Sequence, residues 1–475
     1  KSELKTRYQQ EDSMTSVRNA QILICVVLGL AVSVPAAVLA QDTHYWNNQY
    51  GPRAMLLGGS IIGSVGDMSA TYYNPGAMGY IAEPELLLSA NAYRANSITI
   101  KDGAGEGIDL ETSKFNPLPN MLAGAFRKTW LGKNKLAYSL LTRYRFTVEL
   151  SGSRVSKTDV LDNPGEESFA GGLVTNGDVR EMWAGITWAR GFSEKVGFGI
   201  TQYLSIRSQS SQNELFAQAR TDSGFMALGY DIDSYSADFY SFLWKAGLGL
   251  NFWPVTAGIT LTTPNVQLSG SGSAVFNSTR MGLDVDEDGT LDNIFATNIQ
   301  KGAVANYHSP LSVGVGAALH LKKSTIQLAT EWFDEVDTYA VLELKSFTSQ
   351  GTGETLTRTL QHKLKSVTNF AIGVDHKFSD KYAGYLSFNT DYSARDPESD
   401  VAITGFDIFH VSGGANISMR KTQLMLGVSY AWGNEMIEQT INLNPEDDST
   451  VLDSGETVEV LYSQMTFLVG FSVKL

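Results

Sequence analysis

The chain of 475 residues has a single cysteine, Cys25, so no disulfide framework is available to it. Proline is scarce at 12 against 45 glycines, a balance that suits many strands and turns better than long helices. Charged residues are 18% of the chain, and its net charge of −14 comes with no basic stripe, which argues against nucleic-acid binding. No apolar run reaches the ~20 residues of a comfortable membrane-spanning helix. The nearest is Ile22–Val34, which follows Arg18 and precedes Pro35 and Val38-Leu39-Ala40. A short apolar core followed by small residues predicts a secretory signal peptide. It would start at Met14, be cut before Gln41, and take residues 1–40, Cys25 included, out of the mature protein. Any membrane crossing then falls to a closed barrel, because lipid cannot satisfy open sheet edges. Catalytic signatures are also missing. The six histidines (His44, His308, His320, His362, His376 and His410) have neither a metal-ligand pair nor a Gly-x-Ser-x-Gly elbow beside them. Asp375 and His376 are adjacent, and neighbours on a strand point to opposite faces. No enzyme and no required cofactor are expected.

What the chain does have is alternation. Met465, Phe467, Val469, Phe471, Val473 and Leu475 are apolar at a period of two, with mostly small or polar residues between them. Phe370, Ile372, Val374, His376 and Phe378 repeat the pattern, as do Leu424, Leu426, Val428, Tyr430 and Trp432. Such segments predict strands over 85–93, 121–128, 136–150, 180–191, 195–208, 239–252, 255–263, 311–321, 324–333, 367–378, 381–391, 407–419, 421–432 and 463–475. Connections alternate between short turns and long polar loops, the latter over 94–120, 151–179, 209–238, 264–310, 334–366, 392–406 and 433–462. Short turns on one side and long loops on the other are the pattern of outer-membrane barrels. The expected fold is therefore all-β: an antiparallel transmembrane barrel of about 14 strands over 85–475, in a bacterial outer membrane. Trp130, Trp183, Trp188, Trp244, Trp253, Trp332 and Trp432 fall near strand ends, where interfacial girdles would use them. A soluble β-sandwich would bury such aromatics too, but the strict turn/loop alternation counts against it.

Residues 41–84 do not read as strand. They hold Gly51-Pro52-Arg53-Ala54-Met55-Leu56-Leu57-Gly58-Gly59 and then Asp67-Met68-Ser69-Ala70-Thr71-Tyr72-Tyr73-Asn74-Pro75-Gly76. Asp67 is placed to cap a helical turn over 68–72, which Pro75 would end. Arg53 is the only cation between Gln41 and Tyr93, so inside a barrel it needs a carboxylate partner, either Asp67 or one from the wall. This segment resembles the N-terminal hatch of the FadL/TodX family, outer-membrane transporters of long-chain fatty acids and aromatic hydrocarbons. Gly51, Arg53, Ala54, Gly58, Gly59, Asp67, Asn74 and Pro75 match that family's pattern, while Gly76 replaces its usual alanine. The resemblance implies passive transport of a hydrophobic molecule by a protein embedded in outer-membrane lipid as a monomer. Loops would capture the ligand, a lumen pocket would hold it beside the hatch, and the exit would be lateral. Arg53, Gly58, Gly59, Asp67, Asn74, Pro75 and Gly76 are then the hatch and gating residues.

Two further sites are open on sequence. Phe216, Phe225 and Met226 are apolar residues in a polar loop and candidates for the capture groove. Asp284, Asp286, Asp288, Thr290 and Asp292 present oxygens at calcium-loop spacing around Gly289, although Phe295 stands where the closing glutamate belongs. Ca2+ held there competes with a solvated acidic turn. A non-transporting surface barrel, and more remotely an outer-membrane enzyme, are the rival readings.

Overall fold

A computed structural model of the chain describes residues 43–474, except 81–84, 127–132, 162–164, 284–290, 398, 400–404, 440 and 444–455. The signal-peptide residues and Asp284, Asp286, Asp288 and Thr290 lie outside the described residues, as does the side chain of Asp292.

Fourteen strands form the wall. In chain order they are β1 (Glu85–Ile100), β2 (Leu110–Ala125), β3 (Asn134–Thr158), β4 (Glu167–Gly191), β5 (Val196–Arg220), β6 (Met226–Phe252) and β7 (Val255–Thr262). They continue as β8 (Ser312–His320), β9 (Ser324–Phe333), β10 (Val367–Lys377), β11 (Tyr382–Asp391), β12 (Ile408–Ser418), β13 (Thr422–Glu438) and β14 (Thr457–Lys474). Each pairs antiparallel with its neighbour, and β14 pairs with β1 from Lys474↔Glu85 to Val460↔Ile100, closing the ring.

The barrel is inside out relative to a soluble protein. On β10, Phe370 is 53% exposed while its neighbours Asn369 and Ala371 are buried. Ile372, Val374, Leu386, Leu426, Phe467 and Phe471 are likewise exposed, in the alternation read from the sequence. Such a continuous apolar outer face is stable only against hydrocarbon. Trp332 and Trp432 lie on this face and Trp253 on a turn at the opposite end. Trp183 breaks the girdle expectation: it is buried in the lumen, because it occupies an inward position of β4.

The long connections are shorter than expected, and the strands correspondingly longer. β3, β4 and β5 run for 25 residues each and β6 for 27, against 8 for β7 and 9 for β8. About ten tilted residues cross a bilayer, so one side of the wall rises far beyond it. Past the lipid the outer face turns polar, which erases the apolar alternation. The backbone ladder continues because its N–H and C=O groups still need partners. Residues 266–283 and 292–304, expected as loop, form a hairpin that extends this tall side by pairing with β6 over Leu228–Phe242. Below that level β6 pairs with β7 over Lys245–Phe252.

Residues 43–80 fill the lumen. They contain two short helices, α1 (Pro52–Leu56) and α2 (Ala70–Tyr73), and a 3-10 turn over Pro75–Gly79. The helix starts later than expected, at Ala70. Asp67 instead braces the preceding turn, its Oδ1 accepting from the Ser69 N–H at 2.9 Å. Asn74 is extended, which ends α2 before Pro75 as the proline requires.

Candidate functional site

The segment touches every wall strand, which is geometrically open only to a chain inside the ring. Its partners include Ser89 on β1, Asn120 on β2, the Arg143 carbonyl on β3 and Thr201 on β5. Round the other half, Asn74 Nδ2 donates to the Leu248 carbonyl of β6 at 3.1 Å, and Ser387 of β11 donates to the Leu56 carbonyl at 3.1 Å. Arg53 pairs with Asp375 of β10 at 3.1 Å and not with Asp67. Buried Asp391 of β11 accepts the backbone N–H groups of both Tyr45 and Trp46, at 3.0 and 2.9 Å.

Several wall positions are glycine because the segment's backbone lies against them. A Cβ on Gly247 would stand 2.4 Å from Asn74 Oδ1, and one on Gly316 would stand 2.7 Å from Ile62 Cβ. On the segment's own side, a Cβ on Gly76 would stand 2.4 Å from the Gly247 carbonyl oxygen. Gly58 and Gly59 hold positive φ values of 57° and 77° at the turn after α1, where other residues would be strained. Gly247→Val should therefore dislodge Asn74 and expose the segment to trypsin at Arg53. The wall should survive, which the usual barrel mobility shift in unheated gel samples would report.

The lumen beside α2 is aromatic and charged together. A cavity there is lined by Tyr45, Tyr72, Trp183, Tyr307 and Phe333, with Lys245 and Glu331 between them. Lys245 Nζ lies 3.4 Å from Glu331 and 4.6 Å over the Tyr72 ring. Glu331 also accepts from Trp46 Nε1 at 2.9 Å and Ser312 Oγ at 2.8 Å. Glu181 of β4 accepts from Arg207 at 3.0 Å, Ser205 at 2.8 Å and Trp183 Nε1 at 2.6 Å. Charges so neutralised leave aromatic faces as the surface a ligand would meet. Higher up, Tyr144, Phe146, Val148, Leu150, Phe406 and Tyr462 form an apolar inner lining.

The capture-groove candidates of the sequence lie apart from these cavities. Met226 and Phe225 sit at the tip of the β5–β6 hairpin, and Phe216 pairs with Tyr230 partway down it. None of them lines the lumen cavities, because β5 continues to Arg220 and carries them outward. The inner lining was missed because parity changes within strands. On β3, Leu140 is exposed and Leu141 buried, then a bulge falls between Thr142 and Tyr144. A one-residue bulge flips every later side chain, so the even positions 144–150 turn inward. β1 shifts register in the same way between Asn91 and Arg94.

Between these two strands the ladder fails. β2 and β3 pair only from Met121↔Leu141 to Ala125↔Ala137. Above Met121 the β2 sequence is Asn116-Pro117-Leu118-Pro119-Asn120, and prolines at alternate positions remove donors along one edge. The Thr142 hydroxyl still reaches the Pro119 carbonyl at 2.7 Å, and further up the Glu149 N–H reaches Thr112 Oγ1 at 3.3 Å. A window in the wall lies between those two links.

The loop over 334–366 folds down toward the lumen. His362 is fully buried there, with Nδ1 2.7 Å from Ser399 Oγ. Burial, and then Arg207, hold its pKa down to about 3. The unfolded loop binds a proton near 6.5, so this loop's stability is complete above that pH and falls as pH drops toward 3. At pH 5 the loss is about 2 kcal/mol. Protection factors for hydrogen exchange over 360–364, referred to the intrinsic rate at each pH, should fall between pH 7.5 and 5, and His362→Asn should remove the difference. The histidine of the Asp375-His376 pair is turned outward beside Phe378, while Asp375 faces in, as neighbours on a strand must.

The fold and filled lumen define a closed transmembrane-type β-barrel, and no helix among the described residues is long and apolar enough to cross a membrane. More particularly, the fold is that of the FadL/TodX-type barrels. A FadL homologue of Pseudomonas aeruginosa superposes with a TM-score of 0.59, at 10% identity, over 91% of this chain and 99% of that one. The toluene transporter TodX of Pseudomonas putida gives 0.55 at 14% identity, over 92% of this chain and 100% of that one. The toluene transporter TbuX of Ralstonia pickettii gives 0.50 at 11%, over 90% and 98%. No family model and no curated protein matches the sequence itself.

Proposed function

We propose that the protein is a passive outer-membrane channel for hydrophobic molecules, with residues 43–80 as its hatch and the β2–β3 window as its lateral exit. The window carries this reading. It lies where β1 and β3 both shift register, beside the apolar inner lining and level with the lipid-facing wall. Capture needs no energy source, since burying apolar surface yields ~25 cal/mol per Å² and dilution into the bilayer favours release. The neighbours named as toluene transporters support an aromatic hydrocarbon as cargo, and the resemblance of the Gly51–Gly76 segment to the FadL/TodX hatch keeps a long-chain fatty acid beside it.

Uptake into protein-containing liposomes tests it, with toluene and a fluorescent long-chain fatty acid as cargo. Saturable uptake by the intact protein is expected, with unsaturable leakage when residues 41–80 are removed. Equal, unsaturable rates for both proteins would overturn the transporter reading in favour of a surface barrel.

A further inference from the structure

We infer that the β2–β3 window contains an oxyanion-binding site, built to hold the charged head of an amphiphile whose tail lies along the apolar lining. This rests on the window being the exit proposed above. A small cavity sits there, lined by Arg94 and Asn96 of β1, Lys114 of β2, and Arg145, Phe146 and Thr147 of β3, with Asn47 and Gln464 beside them. Three consecutive residues of one strand line it. Side chains on a strand alternate faces, so the cavity passes through the plane of the wall. The interrupted ladder makes that passage open.

The charges in it are uneven. Three cations face the cavity and no carboxylate lines it. Lys114 is tied to Glu149, which is largely exposed beyond the cavity. Arg145 has no ion-pair partner among the described residues and stands across the ladder from another cation, Arg180, itself held by Asp178. Arg94 is 9% exposed and donates to Asn48, but its Nε is buried with no hydrogen-bond partner. A guanidinium N–H buried without a partner loses its hydration with nothing in return, so a site that keeps one is short of an acceptor. A carboxylate or phosphate supplies two acceptors in the planar spacing that a guanidinium matches. A neutral hydrocarbon supplies none.

Size and depth agree with a head group. The cavity is ≈ 30 Å³, room for a water or two and not for an acyl chain. Arg94 is level with Thr466 on β14, a few residues below Ser463, whose partner across the ladder is the outward Trp432. A head held there sits just under the outer interface, with its tail free to follow Phe146 and Val148.

Binding of laurate and of dodecanol, equal in chain length and different in charge, to the full-length protein in nanodiscs tests the site. Laurate should bind at least about tenfold more tightly, a difference of about 1.4 kcal/mol. Arg94→Gln should erase the preference. Arg145→Gln, at the rim and free of the Asn48 contact, should reduce it severalfold even if Arg94→Gln fails to fold. Inorganic phosphate and phosphatidylglycerol added as competitors identify the source: displacement by phosphate marks a free oxyanion site, and displacement only by the lipid marks a membrane head group. Equal affinity for laurate and dodecanol, or a preference unchanged in Arg145→Gln, would overturn the site. Binding is read without transport, so failed uptake leaves this result standing, and a lost head-group preference leaves toluene uptake standing.

Discussion

Joining β2 to β3 by a disulfide between Pro119→Cys and Thr142→Cys should cut cargo delivery about tenfold or more, and a thiol reductant should restore it. The two positions face each other at the lower edge of the window, where the Thr142 hydroxyl donates to the Pro119 carbonyl. A cargo that leaves sideways must pass between these strands, and among the described residues the links holding them above Met121 run through side chains alone, the Thr142 and Thr112 hydroxyls and the half-exposed Lys114–Glu149 ion pair. Net hydrogen bonds of this kind are worth roughly 1 kcal/mol each, so the strands can part thermally. A covalent link removes that freedom and raises the barrier to passage by at least 1.4 kcal/mol for each tenfold loss. The same link between Val315→Cys and Thr330→Cys, a fully paired position on β8 and β9, should leave delivery unchanged. Both variants are made with Cys25→Ser. A linked window that delivers cargo at the normal rate would place the exit elsewhere.

Glu181→Gln should be the most destabilising single change in the lumen. Arg207 and Glu181 side chains are 0% and 2% exposed, and Glu181 also accepts from Ser205 and Trp183. The amide keeps the shape and loses the charge. Arg207 is then a buried cation that has lost the Glu181 carboxylate, with the neutral Gln209 and the face of Tyr307 at 4.3 Å beside it. Removing one partner of a buried pair costs about 3–5 kcal/mol, because the other charge stays desolvated. The double variant Glu181→Met with Arg207→Met should recover most of that loss, since buried pairs and well-packed apolar replacements are often equivalent. Urea unfolding in lipid vesicles measures both. Equal stability of the single variant and the native protein would mean that water or another carboxylate reaches Arg207.

The wall was legible in the sequence because lipid imposes a rule on it. Where strands face hydrocarbon, every second residue must be apolar, and Phe370–Val374 and Leu424–Trp432 obey. All fourteen strands were found on that rule. Once β3 to β6 leave the lipid the rule lapses, and their upper halves read as loop. The site was less legible for a second reason. Bulges at Thr142–Tyr144 and Asn91–Arg94 exchange the inward and outward series, so Phe146 and Arg94 belong to the lumen against the parity set lower down. Pro117 and Pro119 were the available signal, two prolines spaced to break one edge of a strand. The Arg53 partner could be narrowed to a carboxylate but not chosen, because Asp375 is 322 residues away in the chain and brought close only by the ring.

The close fit of Asn74–Gly76 against Gly197, Gly199 and Gly247 has a consequence for biogenesis. The ring seals along β1 and β14, and residues 43–80 directly precede β1. With backbone against backbone on several sides, a finished ring has no clearance through which that segment could be threaded. It has to be enclosed while the seam is still apart. The wall is thus folded around its own N-terminus, and a wall position such as Gly247 can gain a side chain only in a lineage where Asn74 has already given way.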